Sequence, residues 1–235
     1  MTEKSVEPSI NFYHDSAAQA ESTNELRSIP HIALEELIFR HENDLDNEFG
    51  VIVGGQGHES VGLIVRGANG EKTFFKIFKG VVPFQIMKDF LQKAGVRRED
   101  FNDNKDPKIN DGEFNMYLSD LAGREASTIK LSQTTINKIL SKAFAIKKGN
   151  EILPNRVPEL KAILTWDGIP AGFSTEYIQG PAEPIDEENA EYAADIQFLK
   201  TQNLHVDSFI DANNAIREPN GNIKFLDLLY TGELK

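Results

Sequence analysis

The sequence predicts an α+β fold, and three observations carry that prediction. Residues 50–80 alternate short apolar runs with glycine-containing turns, the mark of antiparallel strands. Several later segments place apolar residues at i, i+3 and i+4, the mark of helices packed on one face. Further strand pairs are signalled by the turns at Asp167-Gly168 and Pro219-Asn220-Gly221.

Along the chain, residues 1–28 are polar and rich in Ser, Glu, Asn and Ala, which predicts a mobile N-terminal arm. Ile32, Leu34, Leu37 and Ile38 predict a short amphipathic helix within 29–39. Residues 50–80 read as strand, glycine turn, strand, hairpin and strand. Asn69-Gly70 makes the hairpin, because both residues tolerate the positive φ of a tight turn. Phe84, Met87, Phe90 and Leu91 then predict a helix, and the charged stretch 97–111 predicts a surface loop. Helices are expected over 111–122 and 134–147, and a strand pair over 164–178. Residues 186–202 read as a helix with Tyr192, Ile196 and Leu199 on one face. The end of the chain reads as strand, turn, strand and a short tail, so that 29–235 forms a single domain.

Composition narrows the function. A chain of 235 residues with 40% hydrophobic residues supports one ordinary core. Cysteine is absent, which excludes disulfides, thiolate metal sites and thiol nucleophiles. A net charge of −12 disfavours nucleic acid and anionic membranes as partners. No apolar run approaches the length needed to cross a bilayer, so no membrane insertion is expected. The first residues lack the basic region and apolar core of a secretory leader. The expected setting is cytoplasmic, and the acidic surface and polar arm are compatible with an effector delivered into a host cell. The five histidines show no HExxH spacing, and no G-x-S-x-G elbow occurs.

The residues that bear chemistry come in a suggestive order. Gly54, Gly55 and Gly57 alone are what a flexible hairpin would show. They precede Lys76, which strand alternation puts on the face opposite Phe75 and Ile77. A lysine on a strand beside a glycine turn suits nucleotide phosphates; on its own it is also an ordinary solvent-facing lysine. Much later come His205, Asp207, Asn213 and Asn214, and then an apolar strand leading to Asp227. Such a set offers a carboxylate for an attacking hydroxyl and oxygen ligands for a hard cation.

In this order the residues resemble the protein-kinase-like superfamily from about Gly50 to Asp227. GGQGHESVG is similar to the glycine-rich phosphate loop, with Gly55 and Gly57 as its nucleotide contacts, and FFKIFK to the strand of the nucleotide-binding lysine, Lys76. FSTEYIQGP resembles an inter-lobe hinge, where Glu176 to Ile178 would offer backbone groups to adenine. HVD resembles the catalytic loop, which implies that Asp207 is the base. NAIREPNGNIKFLD resembles the segment between the two metal-binding residues, which implies Asn214 (or Asn213) and Asp227 as ligands. The lysine's ion-pair partner is expected at Glu113, with Glu125 the lesser candidate; a first-turn glutamate favoured by the helix dipole is the plain alternative.

The resemblance implies a bilobal fold: an antiparallel N-lobe over about 45–176 and a minimal, truncated helical C-lobe over about 179–235. It implies ATP and Mg²⁺ as cofactors and a protein substrate or activating protein as partner. The expected activity is that of an atypical protein kinase resembling compact bacterial effector kinases. Two other functions stay open, a catalytically inert kinase-like binding module and a small-molecule kinase. Asp227 is followed by Leu228-Leu229 rather than Phe-Gly, and the interval from Asp207 to Asn214 is two residues longer than the family's usual one, which suits the inert module.

Overall fold

The structure is a computed structural model, and it describes residues 25–43, 50–56, 60–67, 70–93, 119, 133–206 and 214–231. The fold is α+β. A six-stranded mixed sheet has the order β1-β5-β6-β4-β3-β2. Its strands are β1 (His31–Ala33), β2 (Gly50–Gln56), β3 (Ser60–Arg66), β4 (Lys72–Phe78), β5 (Leu160–Trp166) and β6 (Ile169–Glu176). Only the β1–β5 pairing is parallel; β2, β3, β4, β6 and β5 pair antiparallel in turn.

The meander β2–β3–β4 follows the sequence pattern. Gly70 takes φ 80°, and its N–H donates to the Gly67 carbonyl at 2.8 Å, which closes the β3–β4 hairpin. The β5–β6 hairpin turns on Asp167 and Gly168 at φ 49° and 71°, two positive values that match the right-handed twist of the strands they join.

Helix α1 (Leu34–Asn43) is displaced from the expected helix, because His31–Ala33 form a strand instead. The Ile163 N–H donates to the Pro30 carbonyl at 2.9 Å, and Ile32 registers with Leu164, so a distant strand edge claims residues whose apolar spacing reads as helix. Leu26 is buried in the core, within the stretch expected to be an arm; residues 1–24 lie outside the described residues.

Helix α2 (Phe84–Lys93) buries Met87, Phe90 and Leu91 as its spacing predicts. Helix α3 (Gln133–Ile152) runs longer than expected and packs on β5, β6 and the last strand of the described chain. Ala143, Phe144, Ala145 and Ile146 are consecutive and all buried, so its middle is enclosed on nearly every side. Helix α4 (Ala193–Thr201) starts later than expected. The Glu188 N–H bonds the Asp186 side chain and the Glu191 N–H bonds that of Asn189, both at 3.0 Å. These local bonds hold 186–191 in turns and compete with a helical start. Tyr192, Ile196 and Leu199 are nevertheless buried together.

Two small sheets also lie among the described residues. β7 (Ala182–Glu183), β9 (Ala215–Arg217) and β10 (Ile223–Phe225) form one, in the order β10-β9-β7. β8 (Leu204–Val206) and β11 (Leu228–Tyr230) form the other. The expected loop over 97–111 lies outside the described residues, as does the expected helix over 111–122 apart from the buried Ser119. Among the described residues no helix is long and apolar enough to cross a membrane.

One backbone approach fixes the distance between β4 and β6. A Cβ added to Gly172 would lie 2.1 Å from the Lys76 carbonyl oxygen, so any side chain there forces the two strands apart. Gly172→Ala is therefore expected to cost about 1–3 kcal/mol, read as a lower urea midpoint with an unchanged slope. A midpoint equal to wild type would contradict this approach.

Candidate functional site

The site is built where β4, α3 and the β10–β11 link meet. Phe75 and Ile77 of β4 face the core, and the alternation turns Lys76 to the other face of the sheet. Lys76 registers with Gly62 on one side and Phe173 on the other, and Gly62 registers with Gly55. Paired residues of an antiparallel sheet share a face, so two residues without side chains lie in line beside Lys76.

Asp227 is the second residue of the two-residue link, Leu226-Asp227, between β10 and β11. The Leu226 N–H donates to the Asn214 carbonyl and the Phe225 N–H to the Arg156 carbonyl, each at 2.7 Å. On the far side, β11 packs against α3: a Cβ on Gly149 would meet Leu228 at 2.7 Å, and the Phe144 and Tyr230 rings stand edge to face at 5.1 Å. These contacts hold Asp227 between the sheet and the helix.

Its carboxylate receives two ammonium groups. Lys76 Nζ donates to Oδ2 at 2.8 Å, and Lys142 Nζ of α3 donates to both Oδ1 and Oδ2 at 2.9 Å. The three side chains retain only 18%, 9% and 13% of their exposure for Lys76, Lys142 and Asp227. Burial pushes the Asp227 carboxyl up, but the charges and hydrogen bonds of Lys76 and Lys142 outweigh it and hold the group below its ordinary value.

The structure thus brings Lys76 and Asp227 together and adds Lys142, which the sequence reading missed. Its signal was present: Ile139, Lys142, Ala143 and Ile146 recur at helical spacing, a lone charge on an apolar face. Gly55 lies on β2, in line with Lys76 through Gly62. The Asn214 carbonyl accepts from the N–H of Leu226, the residue before Asp227.

Glu176 and Ile178 lie at the end of β6, away from the charge cluster. Lys224 Nζ donates to Glu176 Oε1 at 2.9 Å and to the Pro154 carbonyl at 2.9 Å, while Ile178 is buried. Lys224 and Asp227, close in sequence, therefore tie the β10–β11 link to β6 and to β4. Gly57, Glu113, Glu125, Asp207 and Asn213 lie outside the described residues.

The chemistry of Asp227 does not fit direct ligation of magnesium. Both oxygens already accept from ammonium groups, and a divalent ion on either would stand close to two positive charges. Among the described residues no three His, Asp or Glu side chains gather to hold a metal.

No family model and no curated protein matches the chain. Among solved structures, one described as the complex of Rv3197 with erythromycin from Mycobacterium tuberculosis is similar at 15% identity and a TM-score of 0.36. The likeness covers 90% of this chain and 54% of that one, so the chain spans about half its length. It is a weak structural neighbour.

The cluster makes a pH prediction. With its folded-state pKa below the ordinary 3.8, Asp227 contributes stability that is complete above that value and lost as pH falls through the lower, folded one. Asp227→Asn leaves the buried Lys142 ammonium and the partly buried Lys76 ammonium facing a neutral amide. The variant should be less stable than wild type near pH 7 by about 3–5 kcal/mol. In urea unfolding this gap should narrow below about pH 4, where wild type begins to lose the same interaction. A gap independent of pH would show that the carboxylate charge is not the stabilising element.

Proposed function

We propose that the protein is a kinase-like phosphotransferase that binds the polyphosphate of ATP beside Lys76 and Asp227 and transfers its terminal phosphoryl group to a protein hydroxyl. The observation that carries this reading is the 2.8 Å contact between Lys76 and Asp227, residues 151 positions apart in sequence. The sequence resemblance assigns those two residues to one phosphate site. Two further features support it. Lys76 stands on the third strand of an antiparallel meander, the place of the nucleotide lysine in protein kinases. The glycines in line with it leave bare backbone, which lets a ligand approach the sheet closely.

In the transfer, the acceptor hydroxyl oxygen bonds to the terminal phosphorus as the bridging P–O bond breaks and the diphosphate leaves. The hydroxyl proton passes to a carboxylate, a role the resemblance gives to Asp207. Lys76 offsets charge on the polyphosphate and holds it in line. A second reading, an inert kinase-like module that binds a partner, is favoured by Lys142, which engages both oxygens of Asp227.

Lys76→Ala leaves Asp227 paired with Lys142, so the variant should fold. It is expected to weaken ATP binding by about tenfold or more, about 1.4 kcal/mol, while Lys79→Ala stays near wild type. Calorimetry reads both, and equal losses would remove Lys76 from the site. Asp207→Asn should bind ATP like wild type and lose phosphoryl transfer to a mixed protein substrate. Wild-type protein that binds ATP but transfers nothing would select the inert module.

A further inference from the structure

The turn between β9 and β10 carries the pair Asn220-Gly221, of which the charge cluster makes no use. Pro219, Asn220 and Gly221 are all exposed, and a Cβ added to Gly221 would meet nothing within 4 Å. Gly221 takes φ 88°, and its N–H donates to the Glu218 carbonyl at 2.8 Å. Asn220 Oδ1 accepts from the Asn222 N–H at 2.8 Å, while its Nδ2 bonds nothing among the described residues. The side-chain amide is thus polarised at its oxygen and free at its nitrogen. Both features favour attack at Cγ and loss of ammonia, because a donor already faces the oxygen on which negative charge develops. The neighbouring backbone nucleophile is the Gly221 nitrogen, and glycine puts no side chain in its way.

We infer that Asn220 is a site of spontaneous deamidation, and that isoaspartate formed there unties the β9–β10 turn from Arg156. When the exposed turn opens locally, the Gly221 N–H leaves the Glu218 carbonyl. Its nitrogen then bonds to Asn220 Cγ, the Cγ–Nδ2 bond breaks, and the proton given up by the Gly221 nitrogen leaves with Nδ2 as ammonia. Water opens the resulting cyclic imide at either carbonyl, giving aspartate or isoaspartate. Aspartate keeps an oxygen for the Asn222 N–H. Isoaspartate carries the main chain through the former side chain and lengthens it, so the 2.8 Å bond from the Glu218 N–H to the Asn222 carbonyl loses its register. Asn222 links this turn to the connection after α3. Its Oδ1 accepts from Arg156 Nη1 at 3.0 Å, and its Nδ2 donates to the Asn155 carbonyl at 2.6 Å and to Glu218 at 2.9 Å.

The test holds the full chain in mildly alkaline buffer, folded in one arm and denatured in guanidinium chloride in the other, and follows both by trypsin digestion and mass spectrometry. Cleavage after Arg217 and Lys224 releases residues 218–224, which carry Asn220 and Asn222 together. In the folded chain Asn220 should convert about tenfold or more faster than Asn222, a difference of about 1.4 kcal/mol in barrier, because Asn222 precedes the β-branched Ile223. The fraction that carries isoaspartate should unfold at a lower urea midpoint than fresh protein. Asn220→Asp should unfold near wild type, since it keeps the acceptor for Asn222. Asn220→Ser, aged in the same way, should keep its midpoint, which separates this change from conversion at Asn69-Gly70. Conversion confined to the denatured arm would show that the folded turn shields Asn220, and the site would be lost. An isoaspartate fraction that unfolds like fresh protein, or an aged Asn220→Ser that weakens as much as aged wild type, would overturn the untying.

Discussion

An ammonium group placed in the middle of α3, beside the sealed side chains of Ile139, Ala143 and Ile146, demands a counter-charge, and Asp227 supplies it. Left alone, either charge would be costly to remove from water. Together with Lys76 they form a cluster that touches the central sheet, the longest helix and the C-terminal strands at once. Much else in the structure follows from that requirement. β10 and β11 must flank Asp227 at the right depth, β11 must lie on α3, and β4 must stay close enough to β6 to keep Lys76 in place. The packing of Leu228 against Gly149 and of Tyr230 against Phe144 meets the second condition, and the bare Cα of Gly172 meets the third.

A second set of charges steadies the same link from behind. Arg156 Nε donates to Asp195 at 2.7 Å and one of its terminal nitrogens to the Asn222 side chain at 3.0 Å, joining the connection after α3 to α4 and to the β9–β10 turn. Lys224 reaches Glu176 and the Pro154 carbonyl from β10. The residues that surround Asp227 in sequence are thus held by partners on three elements. A carboxylate fixed in this way keeps its place between the sheet and the helix with little freedom to reorient.

The parts of the fold legible in the sequence are those decided by local chemistry. Asn69-Gly70 and Asp167-Gly168 announce hairpins because positive φ is a property of the residues themselves. The face of β4 that carries Lys76 follows from alternation, and the buried face of α2 follows from spacing. What was not legible depended on distant partners. Ile32 joins a strand because β5 offers it an edge, and 186–191 forms turns because Asp186 and Asn189 bond their own backbone. In the site, the resemblance put Lys76 and Asp227 in one nucleotide site, but it gave the lysine Glu113 as its ion-pair partner and Asp227 a metal to hold. Lys142 could not be placed there, since a lysine on an apolar helix face shows only that it needs a partner and not which one.

The Lys76–Asp227 contact spans 151 positions and the Lys142–Asp227 contact 85. During synthesis both lysines leave the ribosome well before the carboxylate that joins them. The sheet hairpins form from neighbours in sequence, but the charge cluster is a late closure, made after most of the chain has emerged. Until then Lys142 lacks the carboxylate that it meets in the folded chain. Assembly of the core and completion of the charge cluster are therefore one event.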